Sequence, residues 1–359
     1  MKKKIAFILP SLGGGGSEKV VINIIKYLNR NKYNIRLIVI NLKGPYIKDL
    51  PDDIDIVNLG HKRLRYSFVD LAKELIRFNP DYVFSTLGYL NFGIIVIVKL
   101  FKLKSHIIIR ESSTPSKYIE RLPTIRKYLF SYLYKILYNR ADIIVAQCDI
   151  MKEDLINNFN INATKVKRIY NPIDIENIVI KGSEFNPYDD RYVNVVAVGR
   201  LVYAKGYDIL LHSIKKLMDI IPNIKLYIVG DGPLRNDLIN LAYELGINEI
   251  TEFIGFVKNP YPYIKNAQLF VLSSRWEGFP NTLLEALACG TKCVATNCMS
   301  GPKEILGDNE YGFLAETEDS KSLYLNMLKC LSSENRTKNR AKDFDIKKII
   351  HEYEKIFDN

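Results

Sequence analysis

Two rhythms of apolar and polar positions run along this chain. Continuous apolar runs of four to eight residues alternate with longer stretches in which apolar residues return every three or four positions. The first rhythm suits a strand buried on both faces, the second an amphipathic helix lying on such a sheet. In the first half the strand-like runs are KKIAFILP, IRLIVINL, DYVFST, HIIIRES and DIIVAQ. Helical segments separate them; the first, over 17–29, places Val20, Val21, Ile24, Ile25 and Leu28 on one face. The second half repeats the plan with NVVAVGRL, KLYIVGDG, ITEFIG, QLFVLSS and TKCVATN, and with helices over 207–218 and 234–245. This alternation predicts an α/β protein of two doubly wound domains with parallel sheets. In such sheets ligands bind beyond the carboxyl ends of the strands, so the loops there carry the candidate chemistry.

Length and composition sharpen the picture. At 359 residues the chain has room for roughly two domains. The segment NPIDIENIVIKGSEFNPYDDRY, rich in Pro, Asp and Asn, reads as the link between them. The expected division is 1–175, a linker over 176–192, a second domain over 193–340 and a helical C-terminal segment over 341–359. The opening MKKKIAFILPSLGGGG is too short in its apolar run for a signal peptide, and FGIIVIVKLF, interrupted by Lys99, is too short to span a bilayer. Five cysteines, an odd number, argue for a reducing compartment. Cys289, Cys293 and Cys298 read as small buried residues, and His61, His106, His212 and His351 form no metal-ligand spacing. The net charge of +11 is uneven. Residues 1–140 hold 25 Lys and Arg against 10 Asp and Glu, a net of +15, while the remainder holds 26 against 30. The first part therefore suits an anionic partner: nucleic acid, anionic lipid or a phosphorylated substrate.

In VAVGRLVYAKG, Arg200 and Lys205 follow a strand end, with Gly199 allowing a tight turn. Two cations there suit a diphosphate, although a solvated basic loop has the same pattern. FVLSSRWEGFPNTLLEALACG reads as a buried strand, a loop, and a helix from about Pro280 or Asn281 to Cys289, closed by Gly290. Amides at Gly278, Phe279 and neighbouring residues would lie at the positive end of that helix, an anion site. Glu277 sits in the loop and Glu285 within the helix, placed to accept hydrogen bonds from hydroxyls. A ligand with a phosphate in the middle and hydroxyls at both ends fits, and a sugar nucleotide has that shape.

With GGGGSEKVVINII, NPID, GRLVYAKGYDILL, VGDGPLR, FIGFV, EGFPNTLLEALACGTKCVATNCMSGPKEIL and YGFLAE in order, the chain resembles the retaining GT-B glycosyltransferases of family 4. The resemblance covers nearly the whole chain and is strongest over 195–314. It implies two Rossmann-like domains facing each other across a cleft, an N-terminal acceptor-binding, membrane-facing domain, a C-terminal donor domain, and a last helix crossing back to the first. It implies that Arg200 and Lys205 bind the donor diphosphate and stabilise the leaving group, that Glu277 contacts the donor sugar near the reacting carbon, and that Glu285 holds the ribose. Gly278, Phe279 and Pro280, with Asn281 and Thr282 at the helix start, would line the donor site. Gly199 belongs to the same strand-end loop. Gly255, Phe256 and Val257 would pass the nucleobase, and the Gly13–Gly16 loop, with Gly15 and Gly16, would close on donor and acceptor. Retention of configuration without a metal or other cofactor is part of the same expectation. Many members carry a histidine after the strand here written HIII. This chain has Arg110 and Glu111 instead: either they replace that histidine's role, as acceptor-side candidates, or the acceptor geometry differs. Basic and aromatic residues interleave from Lys117 to Arg140, either as a core-facing helix with Ile125, Leu129, Leu133, Ile136 and Leu137 on its apolar side, or as an interfacial helix on anionic lipid.

The expected function is transfer of a hexose or N-acetylhexosamine, more readily from UDP, to a lipid-linked glycan in surface polysaccharide or glycan biosynthesis. The enzyme would sit in the cytoplasm, peripheral on the inner face of the cell membrane, without a nucleic-acid partner. Alternatives are a sugar-nucleotide epimerase of the same fold and a non-catalytic sugar-nucleotide binding module. A dehydrogenase is disfavoured, since GGGGSEK lacks the GxGxxG spacing and the acid about 20 residues on.

Overall fold

The computed structural model describes residues 1–334, 337 and 339–358. They fall into two compact units, Met1–Pro172 with the segment that begins at Ile346, and Ile173–Asp345. In the first, β1 (Lys3–Leu9), β2 (Tyr33–Val39), β3 (Asp55–Asn58), β4 (Tyr82–Thr86), β5 (His106–Arg110), β6 (Ile143–Ala146) and β7 (Val166–Arg168) form one sheet. Its order is β3-β2-β1-β4-β5-β6-β7 and every pairing is parallel. Ile5 through Leu9 of the interior strand β1 are wholly buried, as a continuous apolar run requires when helices cover both faces.

The second unit builds a six-stranded parallel sheet from β8 (Val193–Val198), β9 (Ile224–Val229), β10 (Thr251–Gly255), β11 (Leu269–Leu272), β12 (Cys293–Thr296) and β13 (Phe313–Ala315). Its order is β10-β9-β8-β11-β12-β13, with Val195 opposite Leu269 where β8 meets β11. The chain winds outward in opposite directions from that pair, so the loops leaving β8 and β11 diverge and open a crevice between them.

Two departures from the sequence reading concern the borders. The span 176–192 is not a bare linker. The helix Ile175–Gly182 starts there, capped by Asp174 Oδ1 accepting from the Asn177 amide at 3.1 Å, and packs on the helices Tyr261–Asn266 and Asn281–Cys289. Tyr188 is buried in the same unit and donates its hydroxyl to the Tyr263 carbonyl at 2.6 Å. The prolines and asparagines mark turns, but the apolar residues Ile175, Ile178 and Ile180 between them supply helical periodicity. The change of unit at the other end falls after Asp345 rather than at 341. The helix Ile346–Asp358 buries Ile349, Ile350, Tyr353, Ile356 and Phe357 in the core of the first unit. There the Phe357 ring lies 5.5 Å from Tyr82 and 5.8 Å from Tyr33, and Lys3 Nζ donates to the Phe357 carbonyl at 2.7 Å.

The helix Thr124–Leu137 turns Phe130 and Tyr134 inward, their rings 5.8 and 5.0 Å from Phe92. Ile125 and Leu129, on the apolar side of the core-facing reading, are 84% and 52% exposed. The aromatic residues, not the aliphatic ones, anchor this helix. Among the described residues no helix is long and apolar enough to cross a membrane.

Candidate functional site

The crevice of the second unit is built from strand-end loops. Gly230, at φ +140°, ends β9; a Cβ there would stand 2.0 Å from the Gly199 carbonyl oxygen. Only glycine lets the ends of β8 and β9 approach so closely. The Gly230 amide then donates to the Gly255 carbonyl at 2.8 Å, joining β10 to the same row. Gly199 and Gly255 are thus placed along one edge of the sheet, with Val257 half-buried and Phe256 exposed just beyond.

After β8 the chain passes Arg200, which is exposed, and a single 3₁₀ turn at Tyr203–Lys205. Lys205 Nζ reaches Glu277 Oε1 at 2.6 Å, with side chains 24% and 10% exposed. Ser274 donates its hydroxyl to the same carboxylate oxygen at 2.6 Å, and Ser300 donates to the Glu277 carbonyl at 2.8 Å. Tyr207, buried at the start of the helix Tyr207–Met218, would touch a Cβ at Gly199 with its hydroxyl at 3.1 Å. Burial raises the Tyr207 phenol well above its ordinary range, and the Glu277 charge adds to the effect. Burial likewise pushes the Cys298 thiol up to about 12, with Glu277 contributing and Lys205 opposing. Lys205 and Glu277 therefore form a close ion pair among buried neutral groups.

The helix Asn281–Cys289 follows Pro280, has no side-chain cap and has no acid in its first turn. Its positive end is left without a compensating charge of its own. Gly278 and Thr282 are half-buried, Phe279 and Pro280 buried. Glu285, one turn into the helix and half-buried, has the Tyr261 hydroxyl 3.5 Å from Oε1. The structure thus brings together Gly199, Lys205, Glu277 and the 278–282 loop and helix start. Among the described residues no three potential ligands gather to hold a metal ion.

Two groups of predicted residues belong to the first unit. Gly15 and Gly16 belong to the first unit, where the Gly15 amide donates to Glu18 Oε2 at 2.9 Å and Ser11 donates to Glu18 Oε1 at 2.8 Å. Glu18, which sequence reasoning passed over, closes this glycine loop on its own helix. Arg110 and Glu111, the acceptor-side candidates, are 0% and 1% exposed. Arg110 donates to Thr86 Oγ1 at 3.3 Å and to Asn171 Oδ1, while Tyr353 of the last helix faces it electrostatically. Glu111 accepts from the Tyr138 hydroxyl and, at 3.4 Å, from Asn91 Nδ2. Burial pushes its carboxyl up to about 7 against those hydrogen bonds. At the end of β5 both side chains turn inward and join buried polar contacts with Thr86, Asn171, Asn91 and Tyr138.

Ser274, Ser300, Tyr207 and Cys298 are the site residues that sequence reasoning missed. Only Ser300 carried a signal, a Ser-Gly-Pro turn directly before a helix.

Comparison with known proteins adds to this geometry. The family model for glycosyl transferases group 1 matches residues 183–345, and that for glycosyltransferase family 4 matches residues 14–177. The chain is 32% identical over 368 residues to a Campylobacter jejuni N-acetylgalactosamine-N,N'-diacetylbacillosaminyl-diphospho-undecaprenol 4-alpha-N-acetylgalactosaminyltransferase, covering 98% of each chain. It is 27% identical over 310 residues to the Salmonella typhimurium lipopolysaccharide 1,6-galactosyltransferase, covering 84% of this chain and 82% of that one. In fold it is similar to Anabaena HepE, crystallised with UDP and glucose, at a TM-score of 0.82 and 18% identity, covering 99% of this chain and all of the other.

Proposed function

The chain belongs to glycosyltransferase family 4, and from that premise we propose that it moves a hexose or N-acetylhexosamine from a UDP-sugar to a lipid-linked glycan, with retention of configuration. The observation that carries this reading is the Lys205–Glu277 pair at the switch point of the second sheet, beside an uncompensated helix start. The donor diphosphate lies between Lys205, Arg200 and the amides at that helix start. Their positive charge stabilises the leaving UDP without a metal ion. When the diphosphate takes over Lys205, Glu277 is freed toward the donor sugar, and Glu285 accepts from the ribose hydroxyls. On the face that the diphosphate leaves, the C1–phosphate oxygen bond breaks and a bond from C1 to the acceptor oxygen forms. The acceptor's hydroxyl proton passes to the departing phosphate oxygen, so no side-chain base is needed.

The acceptor class is taken from the Campylobacter and Salmonella relatives, whose names specify lipid-linked and lipopolysaccharide substrates. It agrees with the first unit's surface. On the helix Thr124–Leu137, Ile125, Tyr128, Leu129 and Tyr132 are all more than half exposed, with Arg126, Lys127 and Lys135 among them. Such a face suits an anionic bilayer, through apolar insertion and charge together, and supports an enzyme working at the membrane surface that bears its acceptor.

Screening nucleotide sugars for protection against thermal unfolding, then for transfer of labelled sugar to a polyprenyl-diphosphate glycan, tests the proposal. It is supported if a UDP-sugar both protects the protein and is consumed. Protection by no nucleotide, or binding without turnover on any acceptor, contradicts it.

A further inference from the structure

The two loops that carry Lys205 and Glu277 also carry two aromatic rings. Tyr203 stands two residues before the lysine and Trp276 directly before the glutamate. Their centroids are 5.8 Å apart and their planes tilted by 56°. Tyr203 is 58% exposed, and Trp276 is half-buried. Neither loop is loosely held. The Arg275 guanidinium lies 4.0 Å from the Tyr203 ring centroid and donates to the Tyr203 carbonyl at 3.0 Å. It is fixed in turn by Asp208, at 2.8 and 2.6 Å, and by Glu318 at 2.8 Å. The Arg275 amide donates to the Ala204 carbonyl at 2.8 Å, joining the two loops.

This clamp orders the tyrosine without burying it, so apolar ring surface stays in water in a set position. A surface prearranged in that way suits a ligand with one apolar face and a polar rim, because the cost of ordering is met before binding. A pyranose ring has that form: its axial C–H bonds lie flat on an aromatic face while its hydroxyls remain hydrated. Resting on the donor site described above, we propose that Tyr203 and Trp276 form a stacking subsite for a pyranose of the acceptor glycan. Glu277, 10% exposed, marks the inner end where the donor sugar lies. Tyr203, 58% exposed, is nearer solvent.

Trp276 is the single tryptophan of the chain, so its emission reports on this ledge alone. The UDP-saturated protein is titrated with methyl glycosides of glucose, galactose, N-acetylglucosamine and N-acetylgalactosamine. The expected result is a saturable emission change with at least one glycoside, weakened about fivefold or more by Tyr203→Ala and kept by Tyr203→Phe. No response to any glycoside overturns the subsite, as does a Tyr203→Ala isotherm matching the unsubstituted one. A change produced fully by UDP alone assigns the ledge to the nucleotide and also overturns it. The UDP-induced thermal shift, read on the same samples, separates this from the donor-site reading. Without that shift but with a glycoside response, the donor site fails and the sugar ledge stands.

Discussion

Glu277 is gripped by Lys205 and Ser274, each at 2.6 Å from one carboxylate oxygen, and this arrangement sets the first predictions. The pair is largely buried, so removing Lys205 leaves Glu277 without a counter-charge, and its place beside the leaving group makes the loss costly to the reaction as well. Lys205→Ala is predicted to lower kcat/KM for transfer by about 10²–10³-fold. Its unfolding temperature should also fall, by about 5 °C or more, because Glu277 is left buried without its counter-charge, so kinetics are read well below the melt. Glu285→Ala, which removes an acceptor of ribose hydrogen bonds, should raise the donor KM about tenfold with kcat largely kept, as steady-state kinetics would show. Glu111 predicts a pH effect of a different kind. Its carboxyl is raised from near 4.5 to about 7 in the folded protein. The unfolded chain therefore releases this proton first, and stability is lost as pH rises between those values. Glu111→Gln removes that loss, so thermal melts should show the variant gaining on the unsubstituted protein from about pH 5 to about pH 7.5. The placement of Lys205 and Glu277 in strand-end loops was legible in the sequence, while their pairing, made between loops 72 residues apart, was not. That Arg110 and Glu111 turn inward was not legible, because packing and not sequence position decides which way a strand-end side chain faces.

At the scale of elements, the turn before the short helix Pro302–Leu306 holds the Glu277 loop in place. Ser300 and Gly301 adopt φ of +69° and +92°, and a Cβ on Gly301 would stand 2.7 Å from Pro280 Cδ and 3.2 Å from the Gly278 carbonyl oxygen. Gly301→Ala should therefore destabilise the protein by about 1–3 kcal/mol, read as a fall in unfolding temperature. It should also weaken UDP binding, because the loop it displaces is the one that leads into the helix start. Most of the strands and the glycine that ends β8 could be anticipated, since continuous apolar runs and glycines at strand ends are local signals; the order of strands in each sheet could not. The helix Ile175–Gly182 could not, because a Pro- and Asn-rich setting masks its short apolar repeat. The helix Thr124–Leu137 was left with two readings for a related reason. It has enough aromatic and aliphatic residues for two faces, and only packing decides that Phe130 and Tyr134 go inward.

For the whole molecule, the excess positive charge and the exposed apolar helix face both belong to the first unit. The substitutions Ile125→Glu and Leu129→Glu together should reduce sedimentation with phosphatidylglycerol vesicles by at least about tenfold, while hydrolysis of the donor, which needs no membrane, is unchanged. Equal binding by the doubly substituted protein would remove the membrane face from the account. The central claim, that a nucleotide diphosphate is held at the β8–β11 switch point, is tested most directly by a crystal structure with UDP. It predicts the diphosphate within hydrogen-bond reach of Lys205 Nζ and the amides at 280–282, with the ribose at Glu285. A nucleotide bound away from Lys205 and that helix start would contradict it.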